Sequence, residues 1–432
     1  MRTISKQNIS NVEQYKQKLL HWSQQFREVV WLDTNAFNTQ YSTFDAVLAV
    51  DAITSIQTDY ENAFKALKDY QTQTNDWIFG YLTYDLKNDV EHLTSRNFDG
   101  LQFPELFFFQ PKKLFLFKDD VVEVRYLNFV SDELDVDLKT IDAIDVLNTI
   151  EEPQTENIKI KLRIHKDDYF NKVNTMLKHI HRGDIYEANF CQEFYAEDTL
   201  IQPLNIYNKL NTISKPPFAT FLKLDDKYLL SASPERYLKK EGTTIVSQPI
   251  KGTAKRSKDK DEDDRLKTEL AKDEKERSEN IMIVDLVRND LSQTATKGSV
   301  EVKELCKVYS FEQVHQMIST VTSQIESTTH PVDVIATTFP MGSMTGAPKI
   351  SAMKIIETLE ETKRGLYSGA VGYFTPQGDF DFNVVIRSIL YNQSNQYVSY
   401  SVGGAITEKS DPLKEYEECL IKAKAMREVL ES

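Results

Sequence analysis

The chain reads as a mixed α/β protein whose strands pair antiparallel, and three stretches carry that reading. FPELFFFQPKKLFLF (103–117) is strongly β in composition. Residues 367–404 read as a meander: SGAVGYF, the turn PQGD, FDFNVVIRSILY, the turn NQSN, then QYVSYSVGG. Between such runs lie amphipathic stretches with helical period, IHKDDYFNKVNTMLKHIHRGD being the longest.

Taken in order, the spacing predicts helices over 12–28 and 57–70 and strands over 78–86, 105–118 and 121–129. The polar stretch SDELDVDLKTIDAIDVLNTIEEPQTEN (131–157) separates this block from a new pattern. A boundary is therefore expected there, giving an N-terminal subdomain 1–157 and a catalytic domain 158–432. The second block opens with a helix that Gly183 ends, glycine being the residue that tolerates the left-handed exit. YLLSASPERYLKKEGTTIVSQPIKG reads as hairpins. In 255–279, nineteen of twenty-five residues are charged, so its first half is expected to be solvated; its second half runs into NIMIVDLVRNDL and must reach the core. In the middle strand of the meander, alternation puts Asp381, Asn383, Val385 and Arg387 on one face.

With 432 residues the chain is long enough for a large core or for two or three domains. A net charge of −14 argues against a general nucleic-acid partner, because phosphate backbones demand a basic surface, but leaves room for a local cationic pocket. Cys191, Cys306 and Cys419 are too few and too far apart for a disulfide framework or a paired-cysteine zinc site. No apolar run approaches a membrane span, and MRTISKQNISNVEQYK lacks a signal-peptide core. These observations lead to the expectation of a cytoplasmic enzyme or binding protein with neither nucleic-acid nor membrane partner.

Three constellations could carry chemistry. Glu276 and Glu279, and Glu415 and Glu418, are i,i+3 pairs near helix starts, the second helix opened by Asp411 and Pro412. Hard oxygen ligands from two helices suit Mg²⁺, although spacing by itself favours exposed glutamates of an acidic chain. FPMGSMTGAPKISAMKIIETLE joins a glycine-rich turn to a helix start, where backbone N–H groups with Ser343, Thr345 and Lys349 could hold an anion or simply begin a helix. Lys251 stands between Pro249-Ile250 and Gly252-Thr253 at a strand end. A lysine after a strand is usually solvated; as a nucleophile it would need its ordinary value near ~10.4 lowered, and Glu235 is a candidate acid/base partner. His179-Ile180-His181 lacks a third ligand.

Together SPERYL (233–238), PIKGT (249–253), DEKERSENIMIVDLVRNDL (273–291), GSMTGAPK (342–349), GYFTPQGDFDFNVVIRSIL (372–390), VGGAI (402–406) and EYEECLIKAKAM (415–426) resemble the chorismate-utilising enzymes. Within that family they look like the branch that contains aminodeoxychorismate synthase component I. GDIYEANF (183–190) and, more weakly, FGYLTYDL (79–86) and VVWLDTNAF extend the resemblance over nearly the whole chain. It implies a large sandwich of two orthogonally packed antiparallel sheets with helices outside and the active site in a cleft between subdomains.

The resemblance also implies roles. Glu279 and Glu418 would ligate Mg²⁺, with Glu276 and Glu415 holding its waters. Tyr373, Arg387, Lys422 and the backbone of Gly403 and Gly404 would bind the enolpyruvyl end and carboxylates of chorismate, and Thr253, His315 and Ser343 would line the ring. Lys251 would attack C2 and expel the C4 hydroxyl with Glu235 shuttling the proton, ammonia then entering at C4 and displacing the lysine from C2. In the anthranilate branch the motif resembles PIAGT, without the lysine. This sequence has no glutaminase nucleophile in a G-x-C-x-G turn, so a separate glutamine amidotransferase subunit in a heterodimer is implied. Gln248, Glu187 and Met341 depart from the usual arginine, glutamine and glycine.

Overall fold

A computed structural model describes residues 1–37, 40–146, 158–311 and 314–432. The expected boundary at 157/158 abuts residues 147–157, which lie outside the described residues. Every paired strand in it is antiparallel, and the twenty strands form one hydrogen-bonded network. The network has two arms that diverge from one long pair, Ala46–Thr58 with Leu106–Lys118, whose register shifts between Ala52 and Thr54. A bulge in long strands is how a chain passes from one sheet of a sandwich to the other.

One arm runs from that pair through Glu28–Asp33, Phe218–Leu224, Lys227–Ser233, Ser388–Asn392 and Tyr397–Ile406 to Glu187–Ala196. The other runs through Ile78–Leu82, Ala370–Phe374, Phe380–Val384, Arg236–Glu241 and Thr244–Gln248 to Val314–Gln324, which also pairs with Ile250–Lys255 and Glu301–Ser310. A core drawn almost wholly from strands (Val30, Phe79, Phe109, Leu222, Leu229, Val371, Leu390) lies between them. Helices Val12–Ser23, Lys166–Arg182 and Pro412–Glu431 cover the first arm through one apolar cluster, and Ala63–Thr74, Glu274–Ser292 and Pro331–Thr338 cover the second through another. The layers are helix, sheet, sheet, helix, each sheet hiding one face in the middle and the other under helices.

Most expected elements are present with shifted ends. The helix expected over 57–70 is Ala63–Thr74, because the strand before it continues to Thr58. Residues 260–272, expected to be a solvated helix or a mobile loop, form a largely exposed helix that Asp259 caps through the Glu262 amide. Gly183 does end its helix, at φ +87°. The expected continuous strand 380–391 breaks: Phe380–Val384 ends, Arg387 takes φ +53°, and Ser388–Asn392 begins afresh. The alternation argument for Arg387 therefore fails, and Asp381 on the true strand bonds Arg236 at 2.9 Å instead. No helix among the described residues is long and apolar enough to cross a membrane.

Candidate active site

The two arms end near each other, and their last strands deliver the reactive groups. Ile250–Lys255 carries Lys251 and Thr253. Gly252 sits at φ +84°, and a Cβ there would stand 3.2 Å from the Glu276 side chain. Glycine thus lets the strand turn Lys251 inward while touching the helix that bears the acidic pair. Lys251 is half-buried, and its Nζ donates to Glu187 Oε1 at 3.4 Å. Burial pushes its ammonium down, but Glu187, Glu279 and Glu235 outweigh burial and leave it above its ordinary value. The lowering expected of a nucleophile is absent because the surroundings are carboxylates, with Lys255 and Arg256 turned elsewhere: Arg256 bonds Asp263.

Glu235, in the turn before Arg236–Glu241, is buried and accepts from Ser343 Oγ at 2.8 Å. Burial raises its carboxyl to about 7, against the opposing pull of Ser343 and Lys251. It can therefore carry or release a proton at neutral pH. The same shift is a stability statement. Between pH 4.5 and 7 the folded chain keeps a proton there that the unfolded chain loses, so this site weakens the fold as pH rises. Glu235→Gln is expected to match the native protein near pH 5 and exceed it by about 1–3 kcal/mol above pH 7.5. Urea melts at both pH values measure this, and an equal gain at both would mean that burial is not the cause.

The four helix glutamates come from two converging helix starts. Asp273 caps Glu274–Ser292 through the Glu276 amide at 2.9 Å, and Asp411 caps Pro412–Glu431 through the Leu413 and Lys414 amides. Both positive helix ends thus support the negative charge gathered there. Glu279 and Glu415 are nearly buried, and Lys275 Nζ lies 3.7 Å from a carboxylate oxygen of each. Burial raises Glu276 and Glu415, and raises Glu279 to about 7. Glu418 differs: burial pushes it up, but Lys422, 2.6 Å away, brings it below the ordinary range. Glu279 Oε1 is buried without a hydrogen-bond partner, the Lys275 ammonium at 3.7 Å standing too far to bond it. Among the described residues no three His, Cys, Asp or Glu side chains converge on one point. A hard cation that takes one or two carboxylates and keeps several waters fits this set.

Beside the acidic cluster, Thr253, Arg387 and Lys422 line one cavity with Pro234, Gln316 and Met426. Arg387 is half-buried, its side chain making one long bond, Nη1 to the Lys422 carbonyl at 3.5 Å. Burial lowers its guanidinium, Tyr367 and Glu418 opposing. A half-buried cation so poorly partnered is suited to a carboxylate ligand. Lys422 donates to the Gly403 carbonyl at 2.8 Å, and a Cβ at Gly404 would lie 3.3 Å from Glu415 Oε2.

Two expected site residues stand elsewhere. Tyr373 packs its ring on Phe44, Trp77 and Phe79 and lines a different cavity with Arg236 and Asp381. Its strand parity points it into the inter-sheet core. His315 spends both ring nitrogens inside the protein, Nε2 on Asp263 and Nδ1 on Ser310, each at 3.0 Å. The anion site at GSMTGAPK is likewise consumed: Lys349 grips Asp290 at 2.8 Å, and Ser343 serves Glu235. Sequence reasoning missed Lys275, Tyr367 and the contact made by Glu187. The i,i+4 step from Lys275 to Glu279 could have signalled the first. His179 pairs with Asp184, as a surface histidine would.

The sequence model of the chorismate binding enzymes matches residues 19–428. A Bacillus subtilis protein named aminodeoxychorismate synthase component 1 is 31% identical over 408 residues, 88% of this chain and 86% of that one. A Synechocystis protein named anthranilate synthase component I-like is 34% identical over 371 residues, 86% of this chain and 76% of that one. Against the rice, Streptomyces griseus and Arabidopsis aminodeoxychorismate synthases, the chain spans about a third of their length. Among solved structures, anthranilate synthase component I from Streptococcus pneumoniae superposes with a TM-score of 0.77 at 25% identity, covering 90% of this chain and 93% of that one.

Proposed function

The chain belongs to the chorismate binding enzyme family, and from that premise we propose that it is the aminating component of an aminodeoxychorismate synthase. It would convert chorismate and ammonia to 4-amino-4-deoxychorismate. The observation that carries this reading is Lys251, a primary amine held inside the site between Glu187 and Glu235. An enzyme that aminates C2 directly has no use for an amine there.

Arg387 and Lys422 bind the substrate carboxylates, and Thr253 lines the ring. Lys251 Nζ forms a bond to C2, the ring double bonds shift, and the C4 oxygen leaves as water with the proton of Glu235. Ammonia then bonds to C4 and the lysine leaves C2, so nitrogen ends where the hydroxyl stood. Two displacements explain why the product is 4-amino rather than 2-amino. Mg²⁺, when bound by Glu279 and its neighbours, supplies positive charge for the ring carboxylate. Glu276, Glu415 and Glu418 complete that acidic surround, directly or through water. A separate amidotransferase subunit would supply ammonia, a reading supported by the word "component" in the Bacillus relative's name.

The test is product identity. Chorismate, Mg²⁺ and ammonium salt are incubated with the protein and the products separated by chromatography and mass. 4-Amino-4-deoxychorismate is expected. Anthranilate would favour the alternative that the Synechocystis relative's name suggests, and isochorismate or salicylate would place the chain on a third branch.

A further inference from the structure

We propose that Glu187 is a second catalytic carboxylate, the group that takes the proton from the Lys251 ammonium before the amine attacks the ring. The inference rests on the reading of Lys251 as nucleophile.

Glu187 opens the strand Glu187–Ala196 and is almost completely buried. Its backbone is fixed from the other side by Gly346–Ala347, which pairs with Ala188 and Glu187. Gly346 is needed there, since a Cβ would fall 2.2 Å from the Glu187 carbonyl oxygen. One carboxylate oxygen accepts from Lys251 Nζ at 3.4 Å, and the other, Oε2, is buried with no hydrogen-bond partner among the described residues. A buried oxygen left in that state costs stability and keeps its lone pairs free to take a proton.

The use follows from what faces Lys251. Glu187 reaches it from one strand, Glu235 from a turn and Glu279 from a helix, and the ion pair with Glu187 at 3.4 Å holds the amine as an ammonium. An ammonium has no lone pair and cannot attack. Among these carboxylates Glu187 alone lies within ion-pair distance; Glu235 is bonded to Ser343, and Glu279 faces Lys275. The two acids therefore divide the work. Glu187 takes one proton from nitrogen, the freed pair forms the N–C2 bond, the C4–O bond breaks, and Glu235 gives its proton to the departing oxygen. When ammonia displaces the lysine, the neutral amine recovers its proton from Glu187 and Glu235 takes one from the new C4 ammonium, which restores the starting charges.

The experiment follows adduct formation on the full chain in single turnovers with chorismate and Mg²⁺, quenched and read by intact-protein mass between pH 6 and 10. The wild type is expected to form the Lys251 adduct. Glu187→Gln keeps the shape but accepts no proton, so its rate should fall about tenfold or more at pH 7 and recover as pH rises. Glu187→Asp should restore part of the neutral rate, and circular dichroism checks that each variant is folded. A Glu187→Gln rate equal to wild type throughout, or lowered by one constant factor at every pH, overturns the inference. An absence of adduct in the wild type itself overturns the nucleophile reading and this inference with it, whereas a normal wild-type adduct with an indifferent Glu187→Gln overturns the inference alone.

Discussion

Lys251→Ala is expected to form no covalent adduct with chorismate and to lose 4-amino product formation by at least about a thousandfold, as removal of a nucleophile does elsewhere. The reason is chemical. Without the amine at C2, ammonia has no activated leaving group to displace at C4. Arginine should not rescue, because a guanidinium stays charged and offers no lone pair. The substitution also removes the cation that faces Glu187, Glu279 and Glu235. The variant is therefore expected to be less stable at pH 8 than at pH 5.5, where protonation relieves the carboxylates, and thermal melts at the two pH values separate that loss from the catalytic one. Retention of the wild-type rate of 4-amino product would remove Lys251 from the reaction.

How much of this is legible in the sequence depends on whether local chemistry or distant packing decides the position. Lys251 is legible because Pro249 and Gly252 bracket it, and the backbone obeys: Gly252 takes the positive φ that the turn requires. The helix starts at Asp273 and Asp411 are legible for the same reason, capping being a matter of three residues. Arg387 is different. A period-two reading carries it along a strand, but Val384 ends the ladder and Arg387 adopts a left-handed conformation that a bulky residue keeps only when its surroundings compel it. That break turns its guanidinium toward the cavity of Thr253 and Lys422. Tyr373 is placed by strand parity in the inter-sheet core, while Tyr367, six residues earlier, supplies the hydroxyl that Arg387 feels. The pairing of Glu187 with Lys251 joins strands 64 residues apart and follows only from the meeting of the two arms. The two-arm layout itself turns on the register shift between Ala52 and Thr54, for which composition gives no sign.

Glu279→Gln should abolish Mg²⁺-dependent activity and, measured without substrate, weaken Mg²⁺ binding by about a hundredfold in calorimetric titration. The argument starts from charge. Glu279 and Glu415 lie on different helices, yet both stand 3.7 Å from the one Lys275 ammonium, so the fold has gathered two buried anions around a point that needs positive charge. Lys275 is half exposed and attached by a flexible stem, which makes it a weak filler of that point. A divalent cation bound there would satisfy the Glu279 oxygen that Lys275, at 3.7 Å, does not hydrogen-bond. Glu418→Gln should weaken binding less, because Lys422 already compensates that carboxylate at 2.6 Å. Lys275→Met then gives the opposite sign: with the competing ammonium gone, Mg²⁺ should bind more tightly while the metal-free protein melts at a lower temperature. Unchanged titration curves for both glutamine variants would place the cation elsewhere. A Lys275→Met protein that binds Mg²⁺ more weakly would mean that the lysine assists the ion instead of competing with it.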